Sequence, residues 1–380
     1  MSLSLRLKNK LEIFGLGLKY GKNAKAIGKK YNLQNLIGAR EAEKIIGRLY
    51  AREQDIFKII KRKLKETRPP WFIRNITLSA YACNQNYEKT FSEECLYDMI
   101  TGSAFLYPGG DSEDDFCDNY LESFISSNEK YERILDLLRD TKNLIRISSS
   151  NREALNLAKV THYLLTEGAS RLRRRSKRAF EEYSRRKRER LDPVQAKDFY
   201  YRFCLRKGRI EEVRKNLVSL EKILETQRKL GEIGATWAVV SHLLAGGEEG
   251  YLEDLENFYL NGTSLLNLAA DDLKEVEEDF AYDPKSKVGI KNPANILALK
   301  MVSEGYDYLS LEELENYLKK NSIEISRMIV LYAENLEKSY ENLKDSPYKE
   351  DLPYVFGFME EIVEREVKKF EKRFKIKVMV

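Results

Sequence analysis

Three aspartates with the spacing D-D-x-x-D are the first residues in this sequence whose types and spacing could do chemistry. They are Asp114, Asp115 and Asp118, within the stretch "YPGGDSEDDFCDNYLESF" (107–124). Carboxylate oxygens are the ligands that Mg²⁺ prefers, and a bound Mg²⁺ ion can carry phosphate oxygens in its remaining positions. The three aspartates could therefore form half of a magnesium site, provided that the chain supplies another acidic cluster.

The stretch also has a purely structural interpretation. The Pro-Gly-Gly sequence at 108–110 predicts a turn, and Asp111 or Ser112 could cap a helix that starts just after it. The aspartates would then lie in the first turns of that helix, where negative charge is favoured by the helix dipole. On this interpretation the cluster is an acidic helix start on the surface.

A second acidic cluster follows in "NLAADDLKEVEEDF" (267–280). Asp271, Glu275 and Asp279 are four residues apart, so a helix over 252–283 would place them on one face. Like charges at this spacing repel one another, and a helix tolerates them when they are exposed or bridged by cations. Two acidic helix faces of this kind could hold Mg²⁺ and pull diphosphate off an allylic carbon, because the metal stabilises the charge of the leaving group.

The two clusters resemble the metal motifs of class I isoprenoid (terpene) synthases. The sequence D-D-F-C-D at 114–118 is similar to the aspartate-rich D-D-x-x-D motif, and D-D-L-K-E-V-E-E-D at 271–279 is similar to the second motif, N/D-D-x-x-S/T-x-x-x-E. The stretches "IKNPANILALKM", "LSLEELENYL" and "FEKRF" follow in the order of the apolar helix, the amphipathic helix and the terminal Arg-Tyr of that family. The resemblance extends over residues 100 to 380.

The resemblance implies a large, all-α, terpenoid-synthase-like helical bundle that ionises a prenyl diphosphate with Mg²⁺; head-to-head condensation of the squalene or phytoene type is a close variant. It implies an apolar pocket lined by aromatic residues such as Phe105, Trp237 and Tyr259. It assigns the metal to Asp114, Asp115, Asp118, Asp271, Glu275 and Asp279, and diphosphate to Arg228, Lys229 and Arg373.

The sequence departs from the family pattern at several positions. Glu275 stands where the family has Ser or Thr, Asp279 where it has Glu, and Phe374 where it has Tyr. The spacing of Arg228 and Lys229 from the second motif is not the usual one. The predicted turn at 108–110 is a further departure, since the first motif of the family lies deep along a long helix.

The elements that must position these residues are predicted to be helical. The chain has 380 residues, of which 42% are hydrophobic and only eight are proline, so it can bury a large core as one large or two ordinary domains. The prolines of "TRPPWF" (67–72) predict a boundary between a basic helical N-terminal extension (1–67) and an all-α main domain (68–380).

Within the main domain, the periodicity predicts a series of helices and their ends. "SSSN" (148–151) separates two helices, and a serine–glutamate capping box at Ser310 and Glu313 opens one or two amphipathic helices over 310–343. The other predicted elements are a long charged helix over 167–230 with a break near 192–193, a loop over 283–293, an apolar helix over 293–305 and a closing helix over 354–374.

A basic segment suggests a different function. Residues 171–190 contain eleven Arg or Lys residues against three Glu, although the whole chain has a net charge of only +5. Such a segment could be a solvated helix paired with its own glutamates and with neighbouring helices. It could also bind nucleic acid as in an RNA-encapsidating nucleoprotein, with Phe180 and Tyr183 stacking on bases. A diphosphate-bearing ligand or an anionic membrane surface is a third possible partner. The RNA-binding residues would be Arg171, Arg173, Arg174, Arg175, Lys177, Arg178, Arg185, Arg186, Lys187 and Arg188. A helical scaffold without a ligand is the remaining alternative.

The rarer residues restrict the other possibilities. The four cysteines form no C-x-x-C pair, which favours buried thiols in a reducing cytoplasm. With only two histidines, a multi-histidine metal site or a catalytic triad is not expected. The first residues lack the apolar run of a signal peptide, and no stretch is long enough to span a membrane. We therefore expect a cytoplasmic protein, of undetermined oligomeric state.

Overall fold

The computed structural model describes residues 44, 47–48, 53–66, 93–226, 228–244, 247, 249–346 and 352–378. These residues are helical nearly throughout. They contain no β-strand, and an isolated antiparallel bridge pairs Tyr282 with Ile290. The prediction of an all-α fold is confirmed.

The helices are numbered here in chain order over the described residues. They are α1 (Gln54–Glu66), α2 (Glu93–Asn119), α3 (Tyr131–Arg139), α4 (Thr141–Ile147), α5 (Arg152–Arg175), α6 (Lys177–Arg186), α7 (Asp192–Arg206), α8 (Ile210–Arg214), α9 (Leu220–Thr226), α10 (Lys229–Leu244), α11 (Leu252–Asn267), α12 (Val276–Asp279), α13 (Ile296–Ser303), α14 (Leu311–Asn342) and α15 (Leu352–Phe374). Short π-helices cover Lys187–Leu191 and Leu268–Asp272, and 3₁₀ turns cover Leu121–Phe124 and Glu249–Tyr251.

The chain divides into two compact units that interleave along the sequence. Unit 1 comprises the described residues of Met1–Asp192, Thr236–Leu252 and Lys344–Tyr354. Unit 2 comprises the described residues of Pro193–Ala235, Glu253–Leu343 and Val355–Val380. The boundary predicted at 67/68 falls outside the described residues and stays a prediction. Helix α1, from the predicted extension, packs into the core of unit 1, where Ile56 contacts the cluster of Phe105, Val160 and Leu164.

The predicted turn at 108–110 is wrong, because α2 continues through it for 27 residues with Pro108 inside the helix. The glycines serve packing. A Cβ on Gly109 would lie 2.8 Å from Leu165 Cδ2, and a Cβ on Gly168 of α5 would lie 2.5 Å from Leu106 Cγ. Glycines at these two positions let α2 and α5 approach closely.

The basic segment is divided differently from the prediction. Helix α5 ends at Arg175, and Ser176 caps α6 by accepting a hydrogen bond from the Ala179 N–H (3.1 Å). Helix α6 then runs through the π-helix into α7 without a break at Asp192, and Pro193 lies in the first turn of α7. Proline has no N–H to donate, and it stands here just after the π-helix, whose closing hydrogen bond runs from the Asp192 N–H to the Lys187 carbonyl. The expected break near 192–193 is therefore wrong.

In unit 2, α10 crosses α11 at small residues. A Cβ on Gly231 would lie 2.1 Å from Ser264 Oγ, and one on Gly234 would lie 2.4 Å from Thr263 Oγ1. Helix α11 ends at Asn267 and passes through a π-helix and a turn before the short α12. The single helix predicted over 252–283 is therefore wrong, although its sequence is mostly helical in three pieces.

The long helix predicted over 167–230 is also wrong beyond Arg206, where the short helices α8 and α9 follow as separate elements. Several other predictions of elements are confirmed. The "SSSN" break separates α4 from α5, and the apolar helix (α13), the loop before it and the closing helix (α15) are present. Ser310 caps α14 by accepting a hydrogen bond from the Glu313 N–H at 3.1 Å. Asn321 interrupts α14 with φ −127° and ψ 25°, so this helix has a kink after its first three turns.

Candidate functional site

The second acidic cluster lies in unit 2, where α11 ends. The helix breaks between Asp271 and Asp279, but the spacing of four residues survives in the backbone. The Glu275 N–H donates to the Asp271 carbonyl at 2.9 Å, and the Asp279 N–H donates to the Glu275 carbonyl at 3.0 Å. Asp271, Glu275 and Asp279 therefore follow one another on successive turns of an irregular helix.

Two aspartates of this segment hold the start of α13. Asp272 is buried, and its Oδ1 accepts a hydrogen bond from the Ile296 N–H at 3.1 Å. Asn295 Nδ2 donates both to the Asp272 carbonyl (2.9 Å) and to Asp279 Oδ2 (2.8 Å), while Asn292 Nδ2 donates to Asp279 Oδ1 (3.1 Å). Asp272 and Asp279 thus act as structural anchors, and the asparagines that they bind were not selected by the sequence analysis.

Asp271 keeps contact with solvent and differs from its neighbour Asp272. Desolvation by its surroundings, followed by the charges of Glu275 and Asp279, raises the pKa of Asp271 to about 6, and Lys229 opposes the rise. The helix start that carries Lys229 therefore lies close to Asp271. Neighbouring carboxylates disfavour the ionised form of Asp271, and a cation bound beside it would favour that form.

Arg228 and Lys229 are adjacent in sequence but have different surroundings. Arg228 Nε is buried and makes no hydrogen bond, and its guanidinium lies near the hydroxyl of Tyr332. The Tyr332 hydroxyl itself donates to the Leu224 carbonyl at 3.0 Å. Burial raises the pKa of Tyr332 to about 12, with Arg228 opposing the rise and Asp272 supporting it. Arg228 therefore belongs to a buried polar group, whereas Lys229 lies near the exposed carboxylate of Asp271.

The third predicted diphosphate-binding residue, Arg373, lies at the end of α15. It forms an ion pair with Glu277, and its guanidinium lies over the ring of Phe374 with 5.8 Å to the centroid. The pair brings the end of α15 against the acidic segment. Arg373 would have to exchange this partner to bind a phosphate.

The first acidic cluster lies in unit 1. It was predicted at the start of a helix, but it lies at the C-terminal end of one. Asp114, Asp115 and Asp118 occupy the last two turns of α2, which has no basic residue in its last turn. Asn119 Nδ2 donates to the Asp115 carbonyl at 2.9 Å. Negative charge is unfavourable at the C-terminal end of a helix, so the dipole does not explain these aspartates. The predicted turn at 108–110 was a departure from the family pattern. It is absent, and the first motif lies far along a long helix, as in that pattern.

No three His, Cys, Asp or Glu side chains among the described residues are grouped closely enough to hold a metal ion between them. Asp114, Asp115 and Asp118 belong to unit 1, whereas Asp271, Glu275 and Asp279 belong to unit 2. The metal assignment therefore stays a prediction.

The basic segment is largely paired with acidic residues of unit 1. Its pairs are Arg171 and Arg174 with Glu167, Lys177 with Glu181, Arg178 with Glu249, Arg185 and Arg186 with Glu182, Lys187 with Glu113 and Asp192, and Arg188 with Glu189. Arg173 lies 5.6 Å from the ring centroid of Phe180, and Tyr183 is buried beside Trp237. Both aromatic residues proposed to stack on bases thus already contact protein groups.

The aromatic residues named for an apolar pocket pack in the interiors of the units. Phe105 belongs to the core cluster of unit 1, and Arg171 lies 5.0 Å from its ring centroid. Trp237 packs beside Tyr183 in unit 1, and Tyr259 packs edge-to-face on Phe258 in unit 2 with 5.5 Å between centroids. These contacts are those of ordinary core residues.

Other expectations can be compared with the structure. Cys117 and Cys204 are buried thiols outside any disulfide, as predicted. His162 Nδ1 lies 2.7 Å from Thr141 Oγ1, and burial, with Lys142, lowers the pKa of His162. No helix within the described ranges has the length and apolar character needed to cross a membrane.

Comparison with solved structures identifies the fold. The chain is similar to a geranylgeranyl pyrophosphate synthetase from the archaeon Geoglobus acetivorans, with a TM-score of 0.51 and 14% identity over 87% of this chain and 98% of that one. It is also similar to a decaprenyl diphosphate synthase from Rhodobacter capsulatus, with a TM-score of 0.50 and 11% identity over the same shares. No protein-family model and no curated protein matches the sequence.

The chain therefore has an isoprenoid-synthase-like helical-bundle fold, as the resemblance of the two acidic motifs predicted. At these identities the likeness extends to the fold alone. The comparisons give no support to the nucleoprotein alternative or to the scaffold alternative.

Proposed function

We propose that this chain is a Mg²⁺-dependent isoprenoid synthase-type enzyme that ionises a prenyl diphosphate. The observation that carries the proposal is the position of Asp114, Asp115 and Asp118 at the C-terminal end of α2, where the helix dipole disfavours them. In a chain with an isoprenoid-synthase-like fold, a cation bound together with a diphosphate would stabilise these carboxylates. The resemblance of the second acidic segment to a metal motif adds to this support.

The acidic residues fit magnesium in their chemistry. Mg²⁺ is commonly held by one or two carboxylates together with substrate phosphates and water, so it does not require three protein ligands in one group. Of the three predicted ligands in unit 2, Asp271 and Glu275 are exposed, whereas both oxygens of Asp279 already accept hydrogen bonds. In unit 1, Asp114, Asp115 and Asp118 are the candidate ligands. Bound there, Mg²⁺ would neutralise diphosphate and make it a better leaving group.

The residues of the chain would bind and orient the leaving group. The carbon–oxygen bond breaks with both electrons leaving on diphosphate, and an allylic carbocation remains. Lys229, near Asp271, would pair with the diphosphate oxygens, and Arg228 and Arg373 are the further candidates. Arg373 would release Glu277 when it does so.

The test is diphosphate release from prenyl diphosphates of several chain lengths, measured with Mg²⁺ and with EDTA. We expect release that depends on Mg²⁺ and that is lost, by about a hundredfold or more, in the double variant Asp115→Ala/Asp271→Ala. The matched control is Glu278→Gln, which removes a carboxylate of the same segment that pairs with Lys291 on the surface. Absence of release from every substrate, or full release by the double variant, contradicts the proposal.

A further inference from the structure

Two basic residues of 171–190, Arg186 and Lys187, are not on the surface. The side chain of Lys187 is 20% exposed and lies between two buried carboxylates, Glu113 (9% exposed) and Asp192 (4%). Lys187 Nζ is 3.5 Å from Glu113 Oε2 and forms a closer ion pair with Asp192 Oδ1. Its neighbour Arg186 is also buried and donates to Glu182 Oε1 at 2.6 Å.

This cluster connects the first acidic cluster (Asp114, Asp115 and Asp118) with the basic segment 171–190, which has no role in the proposed function. Glu113 directly precedes Asp114 near the end of α2, and Lys187 opens the π-helix that follows α6. π-helical turns put a side chain where a regular helix would not, and they are frequent at functional sites. Asp192 begins α7, so the ammonium of Lys187 ties the end of α2 to the helix junction between α6 and α7.

The charges of the cluster depend on one another. Burial by itself lowers the pKa of Lys187, but Glu113 and Asp192 outweigh burial and raise it, so the ammonium stays charged. Glu113 Oε1 is buried without a hydrogen-bond partner. Removing the ammonium alone would leave two buried carboxylates uncompensated next to Asp114, which is strongly unfavourable.

We propose that Lys187 is a positioning residue that fixes the end of α2 and, with it, Asp114, Asp115 and Asp118. The geometric claim stands on the ion pairs of Lys187, and its consequence for catalysis rests on the proposed function. Lys187 and Arg186 would then belong to the interior of the enzyme and to no nucleic-acid surface.

Cys117 reports on the packing of this end of α2, because its thiol is buried and it lies between Asp115 and Asp118 in the sequence. Native-state alkylation with iodoacetamide, followed by peptide mass spectrometry, measures its protection. Cys204, buried in unit 2, is the internal reference. We expect Lys187→Met to speed the alkylation of Cys117 at least about tenfold relative to Cys204. The control Arg188→Met, which changes a neighbouring side chain that is 67% exposed, leaves both rates unchanged.

A charge-matched double variant separates positioning from general damage. Glu113→Gln/Lys187→Met removes one charge of each sign and should return Cys117 to within about threefold of its original rate. The proposal is overturned if Lys187→Met leaves Cys117 protected, or if it speeds both thiols equally, because equal effects indicate only a global loss of stability.

The consequence for catalysis is measured separately, at a temperature where every variant is folded. Lys187→Met should raise the Mg²⁺ concentration that gives half-maximal diphosphate release by about tenfold, and the double variant should reverse most of that change. An unchanged Mg²⁺ requirement in a variant with an exposed Cys117 overturns the positioning role. If the unaltered protein releases no diphosphate, the proposed function fails, while the alkylation result still decides whether Lys187 fixes the end of α2.

Discussion

At the scale of single residues, neighbours in sequence do different work because their partners differ. Asp271 and Asp272 are consecutive, yet Asp272 is buried and holds the start of α13 while Asp271 meets solvent beside Lys229. Arg228 and Lys229 also differ in their partners: Arg228 lies near Tyr332, and Lys229 lies near Asp271. The sequence indicates the type of each group, and the partner decides its role.

Glu212 offers a test of such a partnership through pH. Two nitrogens of Arg209 donate to its carboxylate at 2.8 and 2.6 Å, and Tyr200 donates at 2.9 Å. The Arg209 hydrogen bonds, assisted by Tyr200, lower the pKa of Glu212 to about 2 from 4.5. A lowered folded-state pKa contributes stability that is present above about pH 4.5 and is lost as the pH falls towards 2.

We therefore expect Glu212→Gln to lower the free energy of unfolding by about 1 kcal/mol at pH 7, after allowance for solvent screening of a side chain that is 39% exposed. The difference should vanish near pH 2. Urea denaturation at both pH values measures it. The control Glu211→Gln changes a side chain that is 79% exposed and should have little effect at either pH. A constant difference for Glu212→Gln across the pH range would contradict the assignment.

At the scale of elements, helix packing overrides a local turn signal. Pro-Gly-Gly normally marks a turn, but here α5 covers one of the two glycines and the helix continues. Gly109 meets Leu165 directly, whereas nothing lies within 4 Å of a Cβ on Gly110. The adjacent glycines are therefore a matched pair for testing the crossing of α2 and α5.

Gly110→Ala should stabilise the protein by about 0.5–1 kcal/mol, because alanine favours helix and meets no neighbour. Gly109→Ala should destabilise it by about 1–3 kcal/mol, because the added Cβ overlaps Leu165 and the backbone next to it. Chemical denaturation of the two variants measures the difference. Equal effects of the two substitutions would show that α2 and α5 are not in close contact at Gly109.

At the scale of the whole molecule, ligand binding should raise the free energy of unfolding. A ligand that binds only the folded state adds free energy in proportion to the logarithm of its concentration. Inorganic diphosphate with Mg²⁺, at about a hundred times the dissociation constant, should raise the unfolding temperature by about 3 °C for a chain of this length. The rise should disappear with EDTA and in Asp115→Ala/Asp271→Ala. Stabilisation by RNA that falls with added salt would instead favour the nucleoprotein alternative.

The sequence by itself determined the helical class, because apolar periodicity and the scarcity of proline are local properties. It also determined the caps at Ser310 and the break at 148–151, and it identified the two acidic segments whose resemblance predicted the fold. What it could not determine depends on contacts between residues distant in the chain. The helical continuation through 108–110 depends on α5, and the anchoring role of Asp272 depends on Asn295 and Ile296. Lys187 was assigned to a basic surface because its neighbours are basic, and only the tertiary structure places it between two buried carboxylates, where its charge is needed.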